Sequence, residues 1–197
     1  MSFRDLVTRS RSCRRFDGNF MVDEDLLLDL VELACYTPSS ANLQPLRYIP
    51  VTDSGKRAEV FSCLRWAGYL REWSGPEAGE RPTACIVMLC DGVSDDKAAC
   101  DSGIAAQTIM LGAADKGLGG CIIGAVDRDR LRSVLGIPDR YTILLVIALG
   151  KPAETIVIDQ IDEGDDIRYW RDQYGIHHVP KRKVSDVIIT CSGQQQE

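Results

Sequence analysis

A chain of 197 residues, 45% of them hydrophobic, is long enough to bury a core and reads as one domain with room for an arm. Its 29 acidic and 23 basic side chains leave a net charge of −6, which argues against a nucleic-acid partner or an anionic membrane surface. No apolar run approaches the roughly 20 residues of a membrane helix, and Met1–Asp5 lacks the apolar core of a signal peptide, so the expected location is cytoplasmic.

In chain order, Phe3, Leu6 and Val7 predict a short helix to Arg9. It runs into Arg9-Ser10-Arg11-Ser12-Cys13-Arg14-Arg15-Phe16, with four arginines within seven residues. If extended, this segment sends Arg11 and Cys13 to one side and Ser12 and Arg14 to the other. A hydroxyl beside a planar cation suits a phosphate, although a solvated basic face has the same composition. Asp23 then caps a helix whose Leu26, Leu27, Leu30, Val31, Leu33 and Ala34 form a wide apolar face.

Tyr36 to Tyr48 is a loop, because Pro38 and Pro45 cannot continue a helix. Ser39, Ser40, Asn42 and Gln44 give it many donors and acceptors without fixed charge. Arg47 to Thr52 predicts a strand that Pro50 confines to an edge. Lys56 to Leu70 reads as helical, followed by a segment to Gly79 rich in large groups. Trp66, Tyr69 and Trp73 are there either core or a flap over a flat ligand.

Ala84 to Cys90 predicts a strand buried on both faces. Lys97 to Lys116 is the longest predicted helix, rich in small residues and stopped by Gly117. In Leu118–Gly124, Gly119 and Gly120 leave backbone N–H groups uncovered, without the spacing of a dinucleotide fingerprint. Asp127 opens a helix to Leu135, and Thr142 to Leu149 is a second buried strand. Beyond Pro152 an arm is expected with no local core, carrying short strands at Ile156–Ile161 and Val179–Val184 and a disordered tail from Ser192 to Glu197. The eight cysteines lack the pairing of zinc sites and are expected to be buried, reduced thiols. His177 and His178 are adjacent and are expected to be structural or surface residues, with no metal site.

Four segments, in order and spacing, resemble the nitroreductase family of FMN-dependent oxidoreductases: Arg11–Phe16, Pro38–Pro45, Gly117–Gly124 and Leu149–Pro152. The resemblance implies an α+β fold over about residues 1–197, with a central mixed, mainly antiparallel sheet flanked by helices. It implies a C-terminal arm, about residues 153–190, crossing to the partner of a homodimer, and FMN at the subunit interface. By residue, it implies flavin contacts from Arg11, Ser12 and Arg14, and from Pro38, Ser39, Ser40 and Asn42 towards the partner's flavin. It also implies Gly119 and Gly120 near the ring edge, and Arg182 and Lys151 near the phosphate. Ser10, Ile122 and Leu46 depart from the family's frequent Arg, Trp and Trp.

No protein residue need be catalytic, because the flavin carries the chemistry and the side chains bind and orient it. The implied activity is ping-pong hydride transfer from NAD(P)H to a nitroaromatic, a quinone or another flavin. Flavin cleavage, dehalogenation or an oxidase step on the same fold remain open, as does a non-enzymatic flavin store or sensor.

Overall fold

The computed structural model describes residues 1–92 and 95–189. The expected tail from Ser192 to Glu197 lies outside the described residues, as does Cys191. In chain order the elements are α1 (Phe3–Arg9), α2 (Glu24–Cys35), β1 (Leu46–Val51), α3 (Ser54–Phe61), β2 (Ala84–Asp91) and α4 (Asp95–Asp115). There follow β3 (Gly119–Ile123), α5 (Arg128–Leu135), β4 (Tyr141–Gly150), β5 (Ile156–Ile161), β6 (Trp170–Arg171) and β7 (His177–Arg182).

The main sheet has the order β1-β2-β4-β3 with every pair antiparallel. Pro50 sits on edge strand β1, where its missing N–H costs no ladder bond on the open side. Strands β2 and β4 are central and carry near-continuous apolar sequence because helices cover both faces. Ile86, Met88, Ile147 and Leu149 face α2 and α4, meeting Leu27, Leu30 and Ile109. The alternate residues Val87, Leu89, Val146 and Ala148 face α3 and α5, meeting Val60 and Leu131. The helix–sheet–helix sandwich is the α+β arrangement expected.

Helix α2 starts where Asp23 accepts the Leu26 N–H at 2.8 Å. Its contact with α4 depends on Gly112, where a Cβ would lie 2.7 Å from Leu33 Cδ1 and 2.9 Å from Leu30 Cδ2. The small residues of α4 are therefore used in part inside one chain. Gly117 ends the α4 region at φ 77°, a left-handed conformation that favours glycine.

Helix α3 is shorter than the sequence predicts. It stops at Phe61 because the next residues are drawn into pairing: Arg65 N–H bonds Ala125 O at 3.0 Å, and Cys63 O accepts the Asp127 N–H at 2.9 Å. Ala67 at φ 42° completes the break.

The arm is also more organised than expected. Strands β5 and β7 pair in parallel and β6 pairs antiparallel with β7, making a small sheet of its own. Ile156 and Tyr169 pack against the α3/α5 core, and the Ala153 N–H bonds Arg15 O at 2.9 Å. Among the described cysteines, Cys13, Cys63, Cys85, Cys90 and Cys121 are buried free thiols, whereas Cys35 and Cys100 are exposed on helices, contrary to expectation. Burial pushes the Cys13 and Cys85 thiols up to about 12, which makes them poor nucleophiles.

Candidate active site

The basic segment leaves α1 and runs beside β3. The Cys13 N–H bonds Gly120 O at 2.8 Å, and Ser12 forms a parallel bridge with Gly120. Cys13 turns into the core, while Arg11, Ser12 and Arg14 open on a hollow of about 270 Å³. Ser10, Gln107, Tyr169, His177 and Lys181 contribute to the same hollow. Arg11 also reaches a second hollow, shared with Cys13, Gly119 and Gly120, so the long side chain escapes the simple alternation.

Three cations, Arg11, Arg14 and Lys181, line the first hollow without a carboxylate among its lining residues. In a chain of net charge −6 this is a local reversal of sign. Ser10 Oγ and Arg11 Nε are buried there without a hydrogen-bond partner. Burial also pulls the Arg11 guanidinium below its ordinary value.

Arg14 is held from several directions. Its guanidinium lies 4.6 Å over the Tyr169 ring. Its Nη1 donates to Ser12 O at 3.3 Å and stands 3.1 Å from His177 Nε2. Arginine can only donate, so Nε2 carries the lone pair and the His177 proton resides on Nδ1. Burial, then the Arg14 charge, push His177 down to about 4. Behind Arg14, the Glu154 carboxylate accepts the main-chain N–H groups of Arg14 and Arg15 and pairs with Arg171 at 2.8 Å.

Strand β7 explains which basic residue of the arm enters the hollow. Side chains alternate, so His177, Val179 and Lys181 share one side. Arg182 lies on the other side with His178, which meets Asp159 at 2.9 Å and stacks on Trp170 at 4.1 Å. Lys151 is exposed, with its ammonium 5.6 Å from the Phe20 ring centroid. Neither Lys151 nor Arg182 lines the hollow of its own chain.

The glycine pair has a packing reason. A Cβ on Gly119 would lie 2.8 Å from Pro152, and one on Gly120 would lie 2.8 Å from both Ala148 O and Met110 Sδ. Trp66 is core, beside Phe61 at 5.7 Å, and Trp73 is covered by Arg171 at 4.7 Å. Of the suggested flap only Tyr69 is exposed, 5.0 Å from Tyr169 at the edge of the hollow.

The Pro38–Asn42 loop lies elsewhere. None of its residues lines either basic hollow. It is tied to Asp101 of α4, nine residues before Met110, which lines both hollows. At 1.5 Å rise per residue that is about 13 Å along the helix. In one chain the two groups of expected site residues therefore stand apart.

The family model described as the nitroreductase family matches residues 7–151. The chain belongs to the nitroreductase family. A nitroreductase family protein from Clostridium novyi NT has 26% identity and a TM-score of 0.65, over 77% of this chain and 86% of that one. An FMN-dependent nitroreductase from Clostridium difficile R20291 has 26% identity and a TM-score of 0.62, over 76% and 87%. The NADPH-flavin oxidoreductase of Vibrio harveyi is 28% identical over 75% of this chain and 65% of its own length.

Glu154, Tyr169, His177 and Lys181 all lie beyond the matched residues, and none of them is among the site residues expected from the sequence. The alternation of β7 was the one available signal for Lys181. The contacts of Glu154 and Tyr169 with Arg14 arise from segments about 140 residues or more from it in sequence, which local patterns do not encode.

Proposed function

We propose that this chain is an FMN-dependent oxidoreductase that takes hydride from NAD(P)H and delivers it to a small organic acceptor. The observation that carries the reading is the carboxylate-free hollow in which Arg11, Arg14 and Lys181 converge beside the unpartnered Ser10 Oγ and Arg11 Nε. Buried donors without partners are costly unless a ligand supplies acceptors. A phosphate on a polyhydroxylated chain supplies both charge and oxygens, so the residues fit FMN. When bound, FMN supplies the hydride chemistry.

The protein's part is binding and orientation. Arg14 and Lys181 meet the phosphate, and Arg11 and Ser12 orient the groups that follow it. Arg14 needs no reorganisation on binding, because Tyr169, His177 and Ser12 already fix its plane. His177 stays neutral and so adds no competing positive hydrogen-bond donor towards Arg14. Nitroaromatics, quinones and free flavins are the acceptor classes, reached in the same cleft after NAD(P)H has left.

We further propose a homodimer in which Pro38, Ser39, Ser40 and Asn42 of one copy complete the flavin site of the other. The separation of this loop from the basic hollow supports that reading. So do Val184, Val187, Ile188 and Ile189, which follow β7 with 61–91% exposure and offer apolar surface to a second copy. Lys151 and Arg182 would then serve the assembled site.

Purified protein should carry FMN, oxidise NAD(P)H in the presence of an acceptor and give parallel initial-rate lines when the acceptor is varied. Intersecting lines would replace the shared cleft with a ternary complex. Flavin that no nicotinamide reduces would identify a storage protein instead.

A further inference from the structure

Asp101 is a buried carboxylate on α4, 3% exposed, and lines neither basic hollow. Both of its oxygens are given to the loop. Oδ2 accepts from the Ser39 hydroxyl at 2.6 Å, and Oδ1 accepts the Ser40 N–H at 3.0 Å. Ser39 Oγ in turn accepts the Gln44 N–H at 2.9 Å. A hydroxyl has one proton and two lone pairs. Once the proton is committed to Asp101, the lone pairs face Gln44, and the carboxylate's charge makes them better acceptors. One side chain on a rigid helix thus fixes both ends of the span from Ser39 to Gln44.

That span is strained. Ala41 and Gln44 stand at φ 49° and 50°, in the left-handed region that most residues with a Cβ rarely occupy, and Asn42, which tolerates it better, stands at 54°. The Ser40–Asn42 turn has no side-chain cap and buries no residue, so packing does not hold it. Conformations of this kind persist where their surroundings over-determine them, and they gather at functional sites.

We infer that Asp101 is a positioning residue, a clamp that holds the Pro38–Gln44 loop in its strained form so that the loop can meet the flavin of a second copy. The flavin half rests on the function proposed above; the clamp itself does not.

The test compares Asp101→Ala, Asp101→Asn and Ser39→Ala with the parent chain, using Asp29→Asn as a control on the exposed face of α2. Amide hydrogen exchange of the flavin-free protein is read first. Asp101→Ala should speed exchange at Ser40 and Gln44 by about tenfold or more, the loss of a charge-assisted bond, while Ile86 in β2 stays protected. Ser39→Ala should release Gln44 but leave Ser40 protected, and it decides the matter if Asp101→Ala does not fold. Asn keeps an acceptor for Ser40 and can donate to Ser39 Oγ, so Asp101→Asn should recover most of the protection.

With FMN, Asp101→Ala should slow reduction of bound flavin by about tenfold and weaken FMN, and Asp101→Asn should restore most of both. A merely structural residue would lower thermal stability and leave the rate per bound flavin unchanged. Unchanged exchange at Ser40 and Gln44, or that structural pattern, would overturn the inference. A parent chain that binds no FMN would sink the flavin reading and the flavin half of this one, leaving the clamp to be judged on exchange alone.

Discussion

The basic hollow and the Pro38–Gln44 loop are built on opposite principles. In the hollow, Arg14 is touched by groups from three separate stretches of chain: Ser12, Glu154, and the Tyr169–His177 pair of the arm. It needs no unusual backbone angles. The loop has the opposite economy, with three non-glycine residues at positive φ and most side chains exposed. Its ties to the rest of the chain reduce to Asp101 and to the Arg47 guanidinium, which donates to Gln44 O. In the proposed homodimer the loop of one copy would complete the hollow of the other. A site divided in this way ties assembly to ligand binding, because a ligand that spans both parts stabilises the joined state.

The largest expected effect tests that division directly. A chain carrying Arg14→Ala and a chain carrying Asn42→Trp are each expected to be nearly inactive alone. Refolded together, random pairing leaves about a quarter of all sites with neither defect, so substantial activity should return. No recovery from verified mixed dimers would put the whole site in one chain.

Next in size is the cation itself. Arg14→Ala should weaken FMN by about 10- to 100-fold, the range of a charge-assisted contact, and riboflavin far less. Titrating both ligands by fluorescence gives the ratio. Equal loss would mean that Arg14 is only a structural partner of Tyr169 and His177.

His177 gives a pH test that the loop lacks. In the folded chain burial and the Arg14 charge hold it down to about 4, against 6.5 in its ordinary state. Arg171 and His178 act in the same direction, and Glu154 opposes them. Between these values the unfolded chain binds a proton that the folded one refuses. The stabilisation is complete above about pH 6.5 and is lost as pH falls towards 4, by about 3 kcal/mol. Denaturant melts from pH 7 to pH 4 should show this slope, and His177→Gln should flatten it. A parallel slope in the variant would trace it to other groups.

Most of the frame could be read from local pattern. Asp23 as a cap, Pro50 on an edge strand, the doubly buried Ala84–Cys90 run and Gly117 at a helix end are each dictated by residues within a turn or a ladder pair of them. What escaped was set by distant partners. Nothing near Phe61 says that Arg65 will bond Ala125 and so end α3 early. Nothing near Asp101 says that its carboxylate meets Ser39, 62 residues away in sequence. The positive φ at Ala41 was equally hidden, since alanine gives no turn signal. The basic segment and the polar loop were visible as compositions, but their separation in one chain depends on where α4 places them.

The smallest prediction makes the same chemical change on both sides of the comparison and expects opposite signs. Ala41 is exposed in the loop at φ 49°, where its Cβ crowds the backbone. Glycine removes that crowding, and the relief should exceed what the looser unfolded chain gives back. Ala41→Gly should therefore stabilise the flavin-free chain by up to about 1 kcal/mol, a rise of roughly 2–4 °C for a protein of this size. Ala153 begins the arm behind Arg14, with its N–H bonded to Arg15 O at 2.9 Å and no positive φ to relieve. There glycine brings only added freedom in the unfolded state, so Ala153→Gly should cost about 0.5–1 kcal/mol. Thermal melts of both variants beside the parent chain are sufficient. If Ala41→Gly also lowers the melting temperature, the loop is not strained at that residue, and its left-handed angle costs nothing that a second copy would have to offset. If Ala153→Gly is neutral, the arm is held by its side chains alone and the main-chain bond to Arg15 contributes little. Opposite signs from one substitution would separate a segment held under strain from one at rest.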